Sequence, residues 1–180
     1  ISVSGGSDRV RYFASLGIFT QGGLFEIMHD NDKGFSFNRY NYRVNMDVDV
    51  TKTTTMKINL GGYLSSQTQP NYNNGSYTDI AYLFSDIYTA VPFSGAGIVD
   101  GKWVVASKQF LGSFGSINDA LNTYYGKGYN TKTGNTLNFD FQIEQKLNFI
   151  TKGLKFHAKG VYNSGITYTK RREGRPERYE

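Results

Sequence analysis

The chain has 180 residues, a net charge of +5 at pH 7 and an aromatic content of 16%. It contains no cysteine, which excludes disulfide bonds and thiolate metal sites within these residues. No stretch approaches the roughly 18 consecutive apolar residues of a transmembrane helix. Much of the net positive charge comes from Lys170-Arg171-Arg172-Glu173-Gly174-Arg175, and the sequence lacks the basic stripe and fold signature expected of a nucleic-acid-binding protein.

Two strands are predicted at the beginning of the sequence, over Ile1–Gly5 and Arg9–Phe19. Gly6-Ser7-Asp8 between them supplies residues that tolerate the backbone angles of a tight turn. Because side chains alternate across a strand, the second stretch would carry apolar residues on one face. A polar loop is predicted over Gln21–Gly34.

The clearest alternation in the sequence lies between Tyr40 and Val50, where every second side chain is apolar. This stretch belongs to a strand predicted from about Phe37, and its length matches the roughly 9–11 residues that a tilted strand needs to cross a bilayer. A short connection at Thr51-Lys52-Thr53 leads to a returning strand over Met56–Ser65. The pair is predicted to form a long hairpin with one apolar and one polar face.

Alternation is weak from Gln67 to Thr133, where Gly, Asn, Ser and Thr are frequent. Two short helices are predicted inside this region, over Asp79–Tyr88 and Ser116–Tyr125, from helical spacing of their apolar residues. Between them, Asp100-Gly101 is typical of the turn of a small hairpin.

Alternation resumes at Leu137, and a second hairpin is predicted with strands over Leu137–Leu147 and Leu154–Tyr168. A charged loop is predicted over Lys170–Glu180. Short turns near Ser7, Lys52 and Lys152 thus alternate with long connections. Bacterial outer-membrane barrels show this asymmetry, with short periplasmic turns and longer extracellular loops.

Two stretches resemble the SusC/RagA family of TonB-dependent outer-membrane transporters of Bacteroidetes. The first is Ser2-Val3-Ser4-Gly5-Gly6-Ser7-Asp8 continuing to Gly17, although Ile18 stands where the family usually has Tyr. The second is Arg39-Tyr40-Asn41-Tyr42-Arg43-Val44-Asn45-Met46-Asp47. The resemblance implies a barrel of about 22 strands with an internal plug, energy supplied by TonB, a SusD-like surface lipoprotein as a lid, and uptake of glycans or peptides.

The resulting prediction is an all-β fold that forms one sector of a large antiparallel transmembrane β-barrel in the outer membrane of a Gram-negative bacterium. Residues 1–66 would be barrel strands, 67–133 a long, partly helical extracellular loop, and 134–180 a barrel hairpin with the start of another loop. The sequence reads as an internal piece of a longer polypeptide. Its partners would be the remaining barrel and plug, the lipoprotein, TonB and membrane lipid, and no nucleic acid.

The polar faces of these strands are the candidate lumen surface. They would line the path of the substrate or form the surface on which the plug docks. Alternatively, they would simply be the wetted face of a barrel with cross-strand charge pairs. The candidates are Arg43, Asn45, Asp47, Asp49, Lys57, Asn59, Asp140, Gln142, Glu144, Lys146, Lys155, His157 and Lys159.

The opposite faces are the candidate lipid-facing surface, a structural role that implies no ligand. The candidates are Val10, Tyr12, Leu16, Tyr40, Tyr42, Val44, Met46, Val48, Ile58, Leu60, Phe139, Phe141, Ile143, Phe156 and Tyr162.

Four aromatic residues of the long loop are candidates for contact with a lid or a sugar: Trp103, Tyr124, Tyr125 and Tyr129. They would stack on sugar rings, seat a lid protein, or form the small core of the loop itself, which compact loops commonly do.

No catalytic, cofactor-binding or metal-binding residue is predicted, and the chain is not expected to be an enzyme. His29-Asp30-Asn31-Asp32 lacks the order of a calcium loop and is interpreted as a solvated turn. Asp140 and Glu144 share a strand face, but a wetted barrel wall accounts for them more simply than a glycosidase cleft. Two alternatives remain open: a soluble β-sandwich that binds carbohydrate, and a barrel subunit of a larger outer-membrane assembly.

Overall fold

The computed structural model describes residues 1–72, 80–90, 95–104, 125–175 and 177–179. Within these ranges the elements are β1 Ser2–Gly6, β2 Val10–Gly22, β3 Ser36–Asp49, β4 Thr54–Pro70, α1 Ala81–Thr89, β5 Gly97–Val99, β6 Lys102–Val104, β7 Gly128–Lys146, β8 Lys155–Glu173 and β9 Arg178–Tyr179.

Six strands form one sheet in the order β1-β2-β3-β4-β7-β8, and β5, β6 and β9 form a separate three-stranded sheet. Pairing is mostly antiparallel, with Val3 opposite Ala14 and Gly5 opposite Tyr12 at the first edge. The prediction of an all-β chain is therefore confirmed.

The chain divides into two compact units. The first contains Ile1–Gln21, Phe37–Gln67 and Lys132–Tyr168, and the second contains Gly22–Ser36, Thr68–Thr131 and Thr169–Glu180. The buried hydrophobic side chains of the described residues, Tyr72, Leu83, Trp103 and Tyr125, all belong to the second unit. The sheet of the first unit therefore has no buried apolar core on either face within the described part of the chain.

The short turns between strands are held by polar side chains that bond to nearby backbone groups. Thr51 Oγ1 accepts the N–H groups of Thr53 and Thr54, at 3.2 and 3.0 Å. Asn148 Oδ1 accepts the N–H of Gly153 at 2.9 Å, and Gly153 has a φ of 86°, which glycine adopts at little steric cost. The predicted tight turns near Lys52 and Lys152 are confirmed.

Several strands run beyond their predicted ends. β4 continues to Pro70, and β7 begins at Gly128 rather than near Leu137. These extensions pair through polar residues: the hydroxyl groups of Thr68 and Thr131 lie 3.1 Å apart. Alternation of apolar residues could not reveal them, because they have no apolar face.

The prediction of a loop over Lys170–Glu180 is wrong in part. β8 continues to Glu173, and β9 pairs in parallel with β6, with Trp103 opposite Arg178. The charged side chains at the end of β8, from Lys170 to Glu173, are exposed, and charge alone does not prevent strand pairing when the side chains remain in water.

The structure confirms one predicted helix and the predicted small hairpin. The helix is α1, and β5 and β6 are joined by Asp100 and Gly101 with φ values of 49° and 73°. Positive φ at both central positions is the geometry of a type I′ turn. The other predicted helix, Ser116–Tyr125, lies outside the described residues except for Tyr125, which is in a turn.

Candidate functional site

Cross-strand ion pairs bring predicted lumen residues together on one face of the six-stranded sheet. Lys155 Nζ lies 3.2 Å from Glu144, and Lys159 Nζ lies 3.5 Å from Asp140. On a neighbouring part of the sheet, Arg11 lies 3.7 Å from Asp47. The alternation in the sequence thus places these charges on a common face.

Other candidates of the polar set join the same surface. A cavity of about 260 Å³ is lined by Arg43, Asn45, Asn59 and Asp140, among other residues. Asp49 accepts the hydroxyl of Thr55 at 2.7 Å. Two further members, Gln142 and His157, contact each other. Lys57 is half-buried on β4, and Lys146 is exposed at the end of β7.

The three ion pairs contribute little to stability, because their side chains are between 33% and 67% exposed. Exposed pairs typically contribute about 0.2–1 kcal/mol each. Their clearer effect is on the chemistry of the face. Asp140 and Glu144 each lie beside a lysine rather than beside each other, an arrangement unlike the paired carboxylates of a glycosidase.

The predicted lipid-facing residues are exposed or half-buried, and none is fully buried. Tyr40 is 45% exposed, Phe156 53% and Tyr162 58%, and Tyr12, Leu16 and Val44 are also exposed. Val10, Tyr42, Met46, Val48, Ile58, Leu60, Phe139, Phe141 and Ile143 are half-buried.

Two tyrosines on this apolar side lie across glycines of neighbouring strands. Tyr12 is opposite Gly5, and its hydroxyl lies 2.7 Å from the position that a Cβ on Gly5 would occupy. Tyr42 lies across Gly62 and donates its hydroxyl to the carbonyl of Thr136 at 3.4 Å. An aromatic ring that covers a glycine shields backbone that would otherwise be bare and helps to fix strand register.

The aromatic candidates of the long loop have different environments. Trp103 is 2% exposed and Tyr125 4%, and their ring centroids lie 6.1 Å apart. Tyr129 lies on β7, with Lys33 Nζ 4.5 Å from its ring centroid. Trp103 and Tyr125 therefore fit the interpretation in which the loop packs its own aromatics, and Tyr124 lies outside the described residues.

The structure gives Asp32 a role that the sequence did not indicate. His29-Asp30-Asn31 does form a turn, in which Asn31 N–H donates to His29 Nδ1 at 3.0 Å. Asp32, however, is 4% exposed, so the prediction that the whole stretch is solvated is wrong at this residue. Its two carboxylate oxygens accept the N–H groups of Gly126 and Gly128, at 2.6 and 2.9 Å.

The glycines that face Asp32 make this arrangement possible. Gly126 has a φ of 65° and Gly128 a φ of 87°, so their N–H groups are presented by a backbone that favours glycine. Burial raises the pKa of the Asp32 carboxyl, although the two backbone hydrogen bonds and His29 oppose that effect. The two closely spaced glycines were the only signal of an unusual backbone here that the sequence offered. Nothing in the sequence indicates that their partner is Asp32.

A second buried polar contact lies beside helix α1. Tyr72, 2% exposed, donates its hydroxyl to Asp86 at 2.9 Å and packs with Leu83, which is fully buried. Burial, followed by the hydrogen bond from Tyr72 to Asp86, raises the pKa of Tyr72 to about 12. This contact connects the end of β4 to the helix.

The Tyr72→Phe variant is expected to change how stability depends on alkaline pH. In the native chain the folded state keeps the Tyr72 proton up to a pKa of about 12, against an ordinary value of 10.0. Stability therefore falls as pH rises from 10 towards 12, by up to about 3 kcal/mol. In Tyr72→Phe this part of the decline should disappear.

The measurement is limited proteolysis of the full-length protein between pH 8 and 12, followed at cleavage sites in the second unit. Tyr88→Phe is the matched control, because Tyr88 lies on the same helix and is 88% exposed. Equal pH profiles for the Tyr72→Phe and native proteins would contradict the prediction.

In the described ranges, no three side chains of His, Asp or Glu group closely enough to hold a metal ion. Nor does any helix there have the length and apolar character to cross a membrane. No protein-family model, curated protein or solved structure matches this chain.

Proposed function

We propose that the chain is part of the wall of an outer-membrane β-barrel that imports solutes, of the TonB-dependent, SusC-like type. The six-stranded sheet would be a sector of the barrel, with its apolar side towards lipid and its polar side towards a water-filled lumen. A SusD-like lipoprotein would cover the extracellular mouth, and TonB would move an internal plug. The chain would supply wall and lumen lining and would perform no bond chemistry.

One observation carries the proposal. Five strands of 13 to 19 residues contain long stretches with one apolar and one polar side, and the described residues of the sheet within the first unit bury no hydrophobic side chain. A soluble sandwich of ordinary size has shorter strands, and its apolar faces meet in a core about 10 Å thick. Lipid is the solvent that would accept such a face without a protein cover.

The charge arrangement agrees with this orientation. The ion pairs of Arg11, Lys155 and Lys159 are all on the polar side, where water would screen and solvate them. A charged side chain on the lipid side of a barrel costs about 2–4 kcal/mol near the bilayer midplane. These three ion pairs therefore lie on the side of the sheet where charges cost least.

The test is a spin-label scan of alternate positions along β3 in the full-length protein, in native membranes. The absence of cysteine from these 180 residues allows single cysteines to be labelled cleanly within them. Labels at Val44 and Met46 are expected to be accessible to oxygen but not to a polar nickel complex. Labels at Arg43 and Asn45 are expected to show the reverse.

Other outcomes would contradict the proposal. If labels at Val44 and Met46 were inaccessible to both reagents, that side would be packed against protein, as in a soluble β-sandwich that binds carbohydrate. If the protein stayed in the soluble fraction after cell lysis, the membrane assignment would fail as well.

A further inference from the structure

A cleft on the polar side of the sheet has a composition unlike the rest of that side. It lies within the first unit and has a volume of about 300 Å³. Its lining includes Phe37, Arg39, Tyr63, Ser65, Lys132 and Thr167. This volume is at the small end of the range for ligand sites, roughly 300–1,000 Å³, and suits a single sugar or amino acid.

Arg39 is held in position before any ligand arrives. Its guanidinium lies 4.1 Å from the centroid of the Tyr63 ring, and its Nε–H donates to Asn41 Oδ1 at 2.9 Å. These contacts leave the two terminal nitrogens of Arg39 able to donate hydrogen bonds to a ligand. A planar guanidinium fixed in this way matches the two oxygens of a carboxylate.

The positive charge of the cleft is not balanced from within. Lys132 is the second cation, and no aspartate or glutamate is among the described residues that line it. Elsewhere on the polar side, Arg11, Lys155 and Lys159 each have a carboxylate within 4 Å, whereas Arg43, Lys57 and Lys146 have no ion pair among the described residues. The distinguishing feature of the cleft is that two cations line it together without a carboxylate, so an anionic solute would neutralise their charge.

The other residues that line the cleft favour a ligand whose remaining part is a small ring or an aliphatic chain. Phe37 packs against Phe19 with ring centroids 5.9 Å apart, which gives the cleft an apolar border. Gly134 keeps space free, since a Cβ there would lie 2.9 Å from the Ser65 hydroxyl. Ser65 and Thr167 supply hydroxyl groups that can bond to polar substituents.

We infer that this cleft binds the carboxylate of a small solute, with Arg39 as the bidentate donor and Lys132 as the second cation. The inference rests on the proposed function for its role, because a lumen surface would present the cleft to passing solutes. It deepens that function by naming acidic solutes, such as sugar acids or amino acids, as the class recognised.

The experiment is calorimetric titration of the detergent-solubilised full-length protein with glucuronate, glutamate, glucose and sulfate. Glucuronate or glutamate should bind, and glucose, which lacks the carboxylate, should bind at least about tenfold more weakly. The stronger of the two carboxylates identifies the source, sugar acid or amino acid. Sulfate that binds as tightly as both carboxylates would overturn the inference, because it would indicate charge attraction alone.

The variants separate recognition from general electrostatics. Arg39→Gln and Lys132→Gln are each expected to weaken carboxylate binding, Arg39→Gln by about tenfold or more, and Arg39→Lys should not restore it. Lys52→Gln removes a cation from the exposed turn between β3 and β4, outside the cleft, and should bind as the native protein does. Equal affinities for Lys132→Gln and Lys52→Gln would overturn the inference.

Failure of this inference is distinguishable from failure of the proposed function. Normal spin-label accessibility along β3 with no carboxylate binding would reject the cleft and keep the barrel wall. Carboxylate binding by a protein that stays soluble would reject the barrel wall and keep the cleft.

Discussion

Replacing Asp32 with alanine is expected to destabilise the second unit by about 2–5 kcal/mol, because two buried N–H groups would lose their acceptor. These are the backbone groups of Gly126 and Gly128, which donate to Asp32 at 2.6 and 2.9 Å. Both glycines are buried, so water cannot replace the carboxylate without opening the structure. A loss of this size exceeds what an ordinary surface substitution causes.

Asp30→Ala is the matched control, since Asp30 lies two residues away in the same turn and is exposed. Its stability should stay within about 0.5 kcal/mol of the native value. Asp32→Asn should be intermediate, because an amide keeps one acceptor oxygen but turns an NH₂ group towards the other backbone donor.

Hydrogen exchange of the full-length protein measures this effect locally, through the amides of Gly126 and Gly128. In Asp32→Ala their protection should fall towards that of an unprotected loop, whereas protection in the strands of the first unit should remain. If protection of these two amides were unchanged in Asp32→Ala, the carboxylate would not be the anchor that the structure indicates.

The sequence predicted those parts of the fold whose pattern is local. Alternation over Tyr40–Val50 and Leu137–Leu147 predicts strands, and the same alternation separates the charged side from the apolar side. The Asp100-Gly101 hairpin was predictable for a related reason, since its turn needs two adjacent residues that tolerate positive φ.

The sequence could not predict contacts between distant polar residues. Asp32 and Gly126 are 94 positions apart, and nothing in either stretch indicates the other. The pairing of β6 with β9 is of the same kind, because β9 is only two residues long and has no periodicity.

The candidate site was likewise predictable in its local pattern but not in its contacts between strands. Membership of the polar side was predictable from alternate spacing along each strand. The cleft at Arg39 was not, because it depends on which residue of β4 lies beside Arg39, and strand register is set by the whole sheet. The contact between Arg39 and Tyr63 therefore had to come from the structure.

Gly62→Ala is expected to lower stability of the sheet by about 3 kcal/mol, through overpacking and lost hydrogen bonds between β4 and β7. A Cβ on Gly62 would collide with the carbonyl oxygen of Thr136 on the neighbouring strand, and it would also lie 2.7 Å from the Tyr42 hydroxyl. Urea unfolding of the full-length protein in detergent, followed by far-UV circular dichroism, measures the change.

Gly61→Ala is the matched control, because a Cβ there meets only the Tyr42 carbonyl oxygen, at 3.7 Å, an ordinary contact. Since alanine fits a strand at least as well as glycine, Gly61→Ala should unfold at the same urea concentration as the native protein or a higher one. Equal midpoints for Gly61→Ala and Gly62→Ala would contradict the prediction.

The two obstacles at Gly62 differ in how easily they can move, and a double variant separates them. Tyr42→Phe removes the hydroxyl but leaves the Thr136 carbonyl in place, so Gly62→Ala should remain destabilising in the Tyr42→Phe background. The ring of Tyr42 can swing away, whereas Thr136 is fixed within β7. Full recovery in the double variant would show that the tyrosine, and not the closeness of the two strands, requires glycine at this position.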